Sequence, residues 1–175
     1  MATYTVEEQV QQLYVGLLGR PADATGFNYW VEEIKSGTLT LEEVRSNFVN
    51  EQPEGQAIYE SGDRVAIVQQ LYSNLFDRVP AVDDEGFDYW VNGEGAGVPA
   101  DLLVYALING AGADDRATLD ANVAEAQAAT DADGEEPQEP SVPGEDFRLT
   151  GESDDLVGTA NDDTFDGRPE LLSGR

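Results

Sequence analysis

The 175 residues contain no cysteine and no histidine, and Lys35 is the single lysine. Without cysteine there is no disulfide framework, zinc–thiolate site or thiol nucleophile. Without histidine the commonest general base and transition-metal ligand are missing, which excludes Ser-His-Asp and Cys-His hydrolases within this chain. No apolar run approaches the roughly 20 residues that span a bilayer, so no membrane insertion is expected. The N-terminus, Met1 to Glu8, has neither a basic region nor an apolar one, so a signal peptide is not expected there. Positive charge is scarce too: nine basic residues face 36 acidic ones, a net charge of −27. Such a surface repels nucleic acid and anionic membranes, which bind through Lys and Arg. It suits a soluble protein in salty or calcium-rich surroundings, where screening acts over about 8 Å at physiological ionic strength. Most of this charge reads as a salt-adapted surface, with calcium ligation relevant to the C-terminal clusters alone.

What is present is an internal repeat. Leu13, Tyr14, Leu17 and Arg20 recur 58 residues later as Leu71, Tyr72, Leu75 and Arg78. Asp23, Gly26, Phe27, Tyr29, Trp30 and Val31 recur 60 residues later as Asp83, Gly86, Phe87, Tyr89, Trp90 and Val91. The two-residue difference falls in a proline-containing loop, where insertion costs least. Large apolar residues concentrate before about residue 125, which predicts one folded domain over 1–130. Its copies span about 5–60 and 63–130.

The spacing predicts helices, hence an all-α, duplicated helical bundle. Val10, Leu13, Tyr14, Leu17 and Leu18 fall on one stripe. Gly19 ends that helix and Pro21 prevents its continuation. Asp23 is the expected N-cap of a second helix carrying Phe27, Trp30, Val31 and Ile34 inward. Gly37 closes it, and Thr38 or Thr40 caps a third with Leu41, Val44, Phe48 and Val49 on one face. Copy two is expected to repeat this through Leu102, Val104, Tyr105 and Ile108, with Asp114 or Asp115 capping a last helix.

Arg20 and Arg78 could grip a ligand carboxylate bidentately. The favoured expectation is that each bridges its own loop, to Asp23 and Asp83. Tyr14, Phe27, Tyr29 and Trp30, with their counterparts, could form a sugar-stacking surface, but helical spacing favours core packing. Tyr29 and Tyr89 fall off the Phe-Trp stripe and are the expected exposed members. The shared unit, with Arg20, Asp23, Gly26 and Trp30 repeated as Arg78, Asp83, Gly86 and Trp90, resembles the family known as domain of unknown function 4214. That family occurs in bacterial surface-layer-like and RTX-type proteins. The unit also resembles, more distantly, the helical linkers that organise phycobilisomes. The likeness covers residues 5–130 and brings no catalytic residues with it.

Residues 131–147 are rich in Pro, Gly and acid, with Val142 the one larger aliphatic residue before Phe147, and read as an acidic, disordered linker. The period then becomes nine: Asp154 matches Asp163, Leu156 matches Phe165, and Gly158 matches Gly167. Residues 148–167 thus resemble two nonapeptides of an RTX β-roll, short and incomplete, before a tail at 168–175. Calcium takes six to eight hard oxygens, and the candidates are Asp154, Asp155, Asn161, Asp162 and Asp163. A roll binds Ca²⁺ between neighbouring turns, so two nonapeptides give one edge of a site. RTX proteins resemble type I secretion substrates with a C-terminal signal, and none is evident, so a longer parent protein is expected.

These features predict a non-catalytic module of a secreted, RTX or surface-layer-like bacterial protein, extracellular or at the cell surface. It would attach to cell-surface polysaccharide or to other copies of the parent, with calcium bound by the longer repeat array. The alternative is an accessory domain of a secreted polysaccharide-active or proteolytic enzyme whose catalytic part lies elsewhere.

Overall fold

The structure, a computed structural model, describes residues 3–134. Among the described residues there are helices and no strand. Residues 135–147 of the linker, the nonapeptides with Asp154, Asp155, Asn161, Asp162 and Asp163, and the tail lie outside them.

Copy one begins with α1 (Val6–Leu13), whose end passes directly into a π-helical turn at Tyr14–Leu18. Thr5 and Glu8 start it with a reciprocal capping box: each backbone N–H donates to the other's side chain at 3.1 Å. Gly19, at φ 67°, ends it in the left-handed conformation that glycine adopts without penalty. α2 (Ala24–Lys35) is capped by Asp23, which accepts from the Gly26 N–H at 2.7 Å. α3 (Leu41–Glu51) starts at Thr40 rather than Thr38, because Thr40 and Glu43 form a second capping box. α4 (Pro53–Tyr59) follows at once, with Pro53 at the first helical position where its missing N–H costs nothing. Gly55 lets α4 lie on α3: a Cβ there would collide with the Phe48 carbonyl.

Copy two opens with α5 (Arg64–Phe76), α-helical throughout, and then departs from copy one. α6 (Glu85–Val91) is seven residues long where α2 has twelve. Gly93, Gly95 and Gly97 interrupt the helix, and the chain continues as 3₁₀ turns at Glu94–Gly97 and Ala100–Leu102. Arg64 fixes that detour, donating to the carbonyls of Trp90 (2.7 Å), Gly95 (2.7 Å) and Val98 (2.9 Å). α7 (Leu103–Gly110) buries Leu103, Val104, Leu107 and Ile108; Leu102 sits in the preceding turn, and Tyr105 is half-buried.

α8 (Ala113–Gly134) braces both copies, packing on α5 at one end and on α1 and α2 towards the other. Leu119, Val123, Ala126 and Thr130 recur at spacings of four and three and form its buried stripe. The helix continues past the expected boundary at 130, so residues 131–134 belong to it and not to the linker. Two contacts hold that end: the Thr130 hydroxyl donates to the Ala22 carbonyl at 2.6 Å, and Asp133 accepts from the Ala24 N–H at 2.8 Å. Asp114 and Asp115 lie inside the first turn of α8, not at its cap, where they still favour the positive end of the helix dipole.

The copies share one core, a continuous cluster running from Val10 to Val123. They meet through equivalent positions. The Asn74 amide donates to the Gly16 carbonyl at 2.9 Å, and the Arg45 guanidinium lies 5.9 Å from the centre of the Tyr105 ring. A Cβ on Gly16 would approach Leu75 and Val104 side-chain atoms to 2.9 Å, so glycine sets how closely the π-turn approaches α5 and α7.

Candidate functional site

The duplicated residues converge, in each copy, on the corner between the first helix and the second. Arg20 lies over the Tyr14 ring at 5.5 Å, with its guanidinium 3.9 Å from Asp23 and 3.3 Å from the Pro21 carbonyl. Gly26 is required by closeness rather than by backbone angle: a Cβ would sit 2.7 Å from the Tyr14 hydroxyl. Tyr14 is buried against Phe48, ring centres 4.9 Å apart, and Trp30 packs on the same Phe48 at 5.6 Å. Burial, reinforced by the Asp23 charge, pushes the Tyr14 phenol above its usual pKa.

Copy two builds the same corner with a different ion pair. Arg78 lies over Tyr72 at 4.9 Å, but its carboxylate partners are Asp115 and Asp84. The Asp115 contact is bidentate, at 2.8 and 2.7 Å, and Asp84 stands at 3.5 Å. The expected bridge from Arg78 to Asp83 is therefore corrected. The longer loop starts α6 one residue later relative to the matched Phe87, so Asp84 takes the cap, accepting from Gly86 (2.9 Å) and Phe87 (3.1 Å). Asp83 is left exposed. The hydrogen bonds that Arg78 donates to Asp115 hold the guanidinium charged, its pKa well above the ordinary arginine range. Burial, as the largest influence, also pushes the Tyr72 phenol up.

The paired aromatics divide as the stripe requires. Trp30 and Trp90 are half-buried, while Tyr29 and Tyr89 are 52% and 46% exposed. Each tyrosine meets its tryptophan edge to face with ring centres 4.8 Å apart. Beside Tyr89 and Trp90 lies an open groove of about 420 Å³, walled also by Tyr72, Arg78, Gly86 and Asp115.

Four positions do comparable work without having been singled out. Gln11 accepts from the Ala22 N–H at 3.4 Å, and its counterpart Gln69 donates to the Pro80 carbonyl at 3.2 Å; each clamps the loop that follows its helix. The signal was visible, since Gln-Gln-Leu-Tyr opens both copies. Arg64 and Arg45 carried none, because their partners are mostly carbonyls and acids brought near by the fold. Arg45 is 5% exposed and donates to the Asp101 carbonyl at 2.7 Å and to Glu42 at 2.9 Å.

Among the described residues no group of three or more His, Cys, Asp or Glu side chains is placed to hold a metal ion. No helix among them is long and apolar enough to cross a membrane. No curated protein and no solved structure matches the chain. Residues 2–59, which coincide with copy one, match the family described as Domain of unknown function (DUF4214).

Proposed function

We propose that the helical domain is a non-catalytic attachment module of a secreted protein, holding it to cell-surface polysaccharide through two equivalent aromatic patches. The observation that carries this is the paired exposure of Tyr29 and Tyr89, each backed edge-on by a half-buried Trp. They are the aromatic members of the large apolar side chains left exposed among the described residues. A flat, rigid aromatic face with a polar hydroxyl suits the amphipathic face of a sugar ring, and it loses little conformational entropy on binding. Two such faces on one braced domain engage a repeating polymer twice, which raises overall avidity by about 10²–10⁴ over either site alone.

Sedimentation of the chain with purified cell-envelope polysaccharide tests this. Tyr29→Ser and Tyr89→Ser should each weaken binding, and the double variant should lose far more than either, with an unchanged melting temperature. Wild-type binding by the double variant rejects the reading. Calcium enters this reading through the nonapeptides at 148–167. Their part is tested by circular dichroism of the full chain titrated to millimolar Ca²⁺, where no spectral change counts against it.

A further inference from the structure

A second recess lies between the copies, on the side covered by α8. It is open, about 350 Å³, and its walls are equivalent positions from the two halves: Val15 faces Ser73, and Gly19 faces Asp77. Arg20 and Asn74 complete these walls, while Asn122 and Glu125 of α8 stand along the third side. Gly19 and Asp77 both take the left-handed conformation, at φ 67° and 57°, so both helices end at this recess.

The duplication supplies an internal control. Arg78 in copy two is consumed by the bidentate Asp115 contact and by Asp84. Arg20 has no counterpart to Asp115 among the described residues. Its carboxylate contact is a single 3.9 Å approach to Asp23, and its side chain is 42% exposed. The backbone differs as well: Tyr14–Leu18 is a π-turn, whereas the matching stretch of α5 is ordinary α-helix. π-Turns within helices strain the hydrogen-bond ladder and are frequent at functional sites. Thus the copy that keeps the under-partnered arginine also carries the distorted helix, and both border the same recess.

We propose that this recess binds a neutral sugar unit, with Arg20 as its principal donor; the inference rests on the polysaccharide reading above and specifies its chemistry. Charge selects the class. One guanidinium shares the recess with Asp77 and Glu125, so a uronate or phosphate meets more like charge than opposite charge, on a chain of net charge −27. A metal ion meets the Arg20 charge and only two carboxylates, and no group of three or more His, Cys, Asp or Glu among the described residues is placed to hold one. A neutral polyol meets neither penalty. Its hydroxyls both donate and accept, matching Arg20 and the second amide hydrogens of Asn74 and Asn122, whose first ones go to the Gly16 and Leu75 carbonyls, on one side and the Asp77 and Glu125 carboxylates on the other. The volume lies at the lower end of small-ligand sites, which fits a short stretch of polymer.

The test is an array of neutral and uronate oligosaccharides probed with the full chain, followed by calorimetric titration of the tightest neutral glycan. Arg20→Met should weaken that binding at least tenfold. Lys35→Met, which makes the same change in net charge away from the recess, should leave it unchanged. Melting temperatures of both variants verify that they fold. Absence of neutral binders, preference for uronates, or equal affinity of Arg20→Met and wild type overturns the proposal. Envelope sedimentation of the same proteins separates the two readings. If Arg20→Met keeps full envelope binding while the double tyrosine variant loses it, the recess is refuted and the attachment reading stands. If wild-type chain ignores the envelope yet binds a soluble neutral glycan through Arg20, the attachment reading fails and the recess stands.

Discussion

The Arg78–Asp115 pair ties the loop of copy two to the start of α8, and its strength follows from its geometry. Two parallel N–H···O contacts of 2.8 and 2.7 Å give the bidentate arrangement that makes arginine–carboxylate pairs strong. Solvent weakens it, since the side chains are 40% and 18% exposed. Fully exposed pairs couple by about 0.2–1 kcal/mol, and partial shielding with two aligned contacts raises the expectation to about 1–1.5 kcal/mol. A double-mutant cycle isolates this quantity. Arg78→Gln, Asp115→Asn and the double variant would be unfolded in urea, with tryptophan fluorescence as the probe. A parallel cycle pairs Arg78→Gln with Asp83→Asn and should give coupling near zero, because Asp83 is exposed and outside the pair. Raising salt to about 1 M shortens the screening length to about 3 Å and should reduce the Asp115 coupling without abolishing it. A coupling to Asp83 equal to or larger than that to Asp115 would refute the assignment of the ion pair.

Four further substitutions probe the fold at single positions. Gly55→Ala places a Cβ against the Phe48 backbone carbonyl, which cannot rotate away, and should cost about 3 kcal/mol or more in urea unfolding. Gly16→Ala meets side-chain ends of Leu75 and Val104 instead and should cost about 1–2 kcal/mol by the same measurement. Asp77→Gly removes a non-glycine residue from φ 57° and should raise stability by about 0.5–1 kcal/mol, despite the added freedom of the unfolded chain. Tyr59 has a buried hydroxyl without a partner among the described residues, and burial pushes its phenol up to about 12. Folding therefore favours the neutral phenol: its contribution is complete below the unfolded value near 10 and is lost as pH rises from there through about 12. Tyr59→Phe should raise the melting temperature slightly at pH 8 and flatten its decline between pH 10 and 12, which thermal unfolding across that range would show.

Secondary structure was legible through the first two helices of copy one, where local rules govern it. The Asp23 cap, the Gly19 stop and the Leu-Tyr stripe depend on neighbours within one helical turn, and the structure has them where the pattern points. Glycine clusters were equally local, yet their effect in copy two was not foreseen. Gly93, Gly95 and Gly97 permit the break after α6, but Arg64, some thirty residues earlier, gives the broken segment its shape. The motif residues divide in the same way. Sequence spacing paired Arg78 with Asp83, and an aspartate on α8, 37 positions from Arg78, took that role.

By itself, then, the sequence determined that the region before the linker is helical and duplicated and that the chain is acidic, because composition, periodicity and self-similarity are properties of the one-dimensional string. Tertiary structure decided which members of each matched pair remain equivalent. α8 takes the place that α4 holds in copy one but runs for 22 residues against seven, so it alone reaches across both halves and cannot contact them alike. It brings Asp115 to Arg78 at one end and Thr130 and Asp133 to the loop of copy one at the other. That asymmetry, imposed by packing one helix across two copies, locks Arg78 in a bidentate ion pair and leaves Arg20 with a single 3.9 Å approach to Asp23.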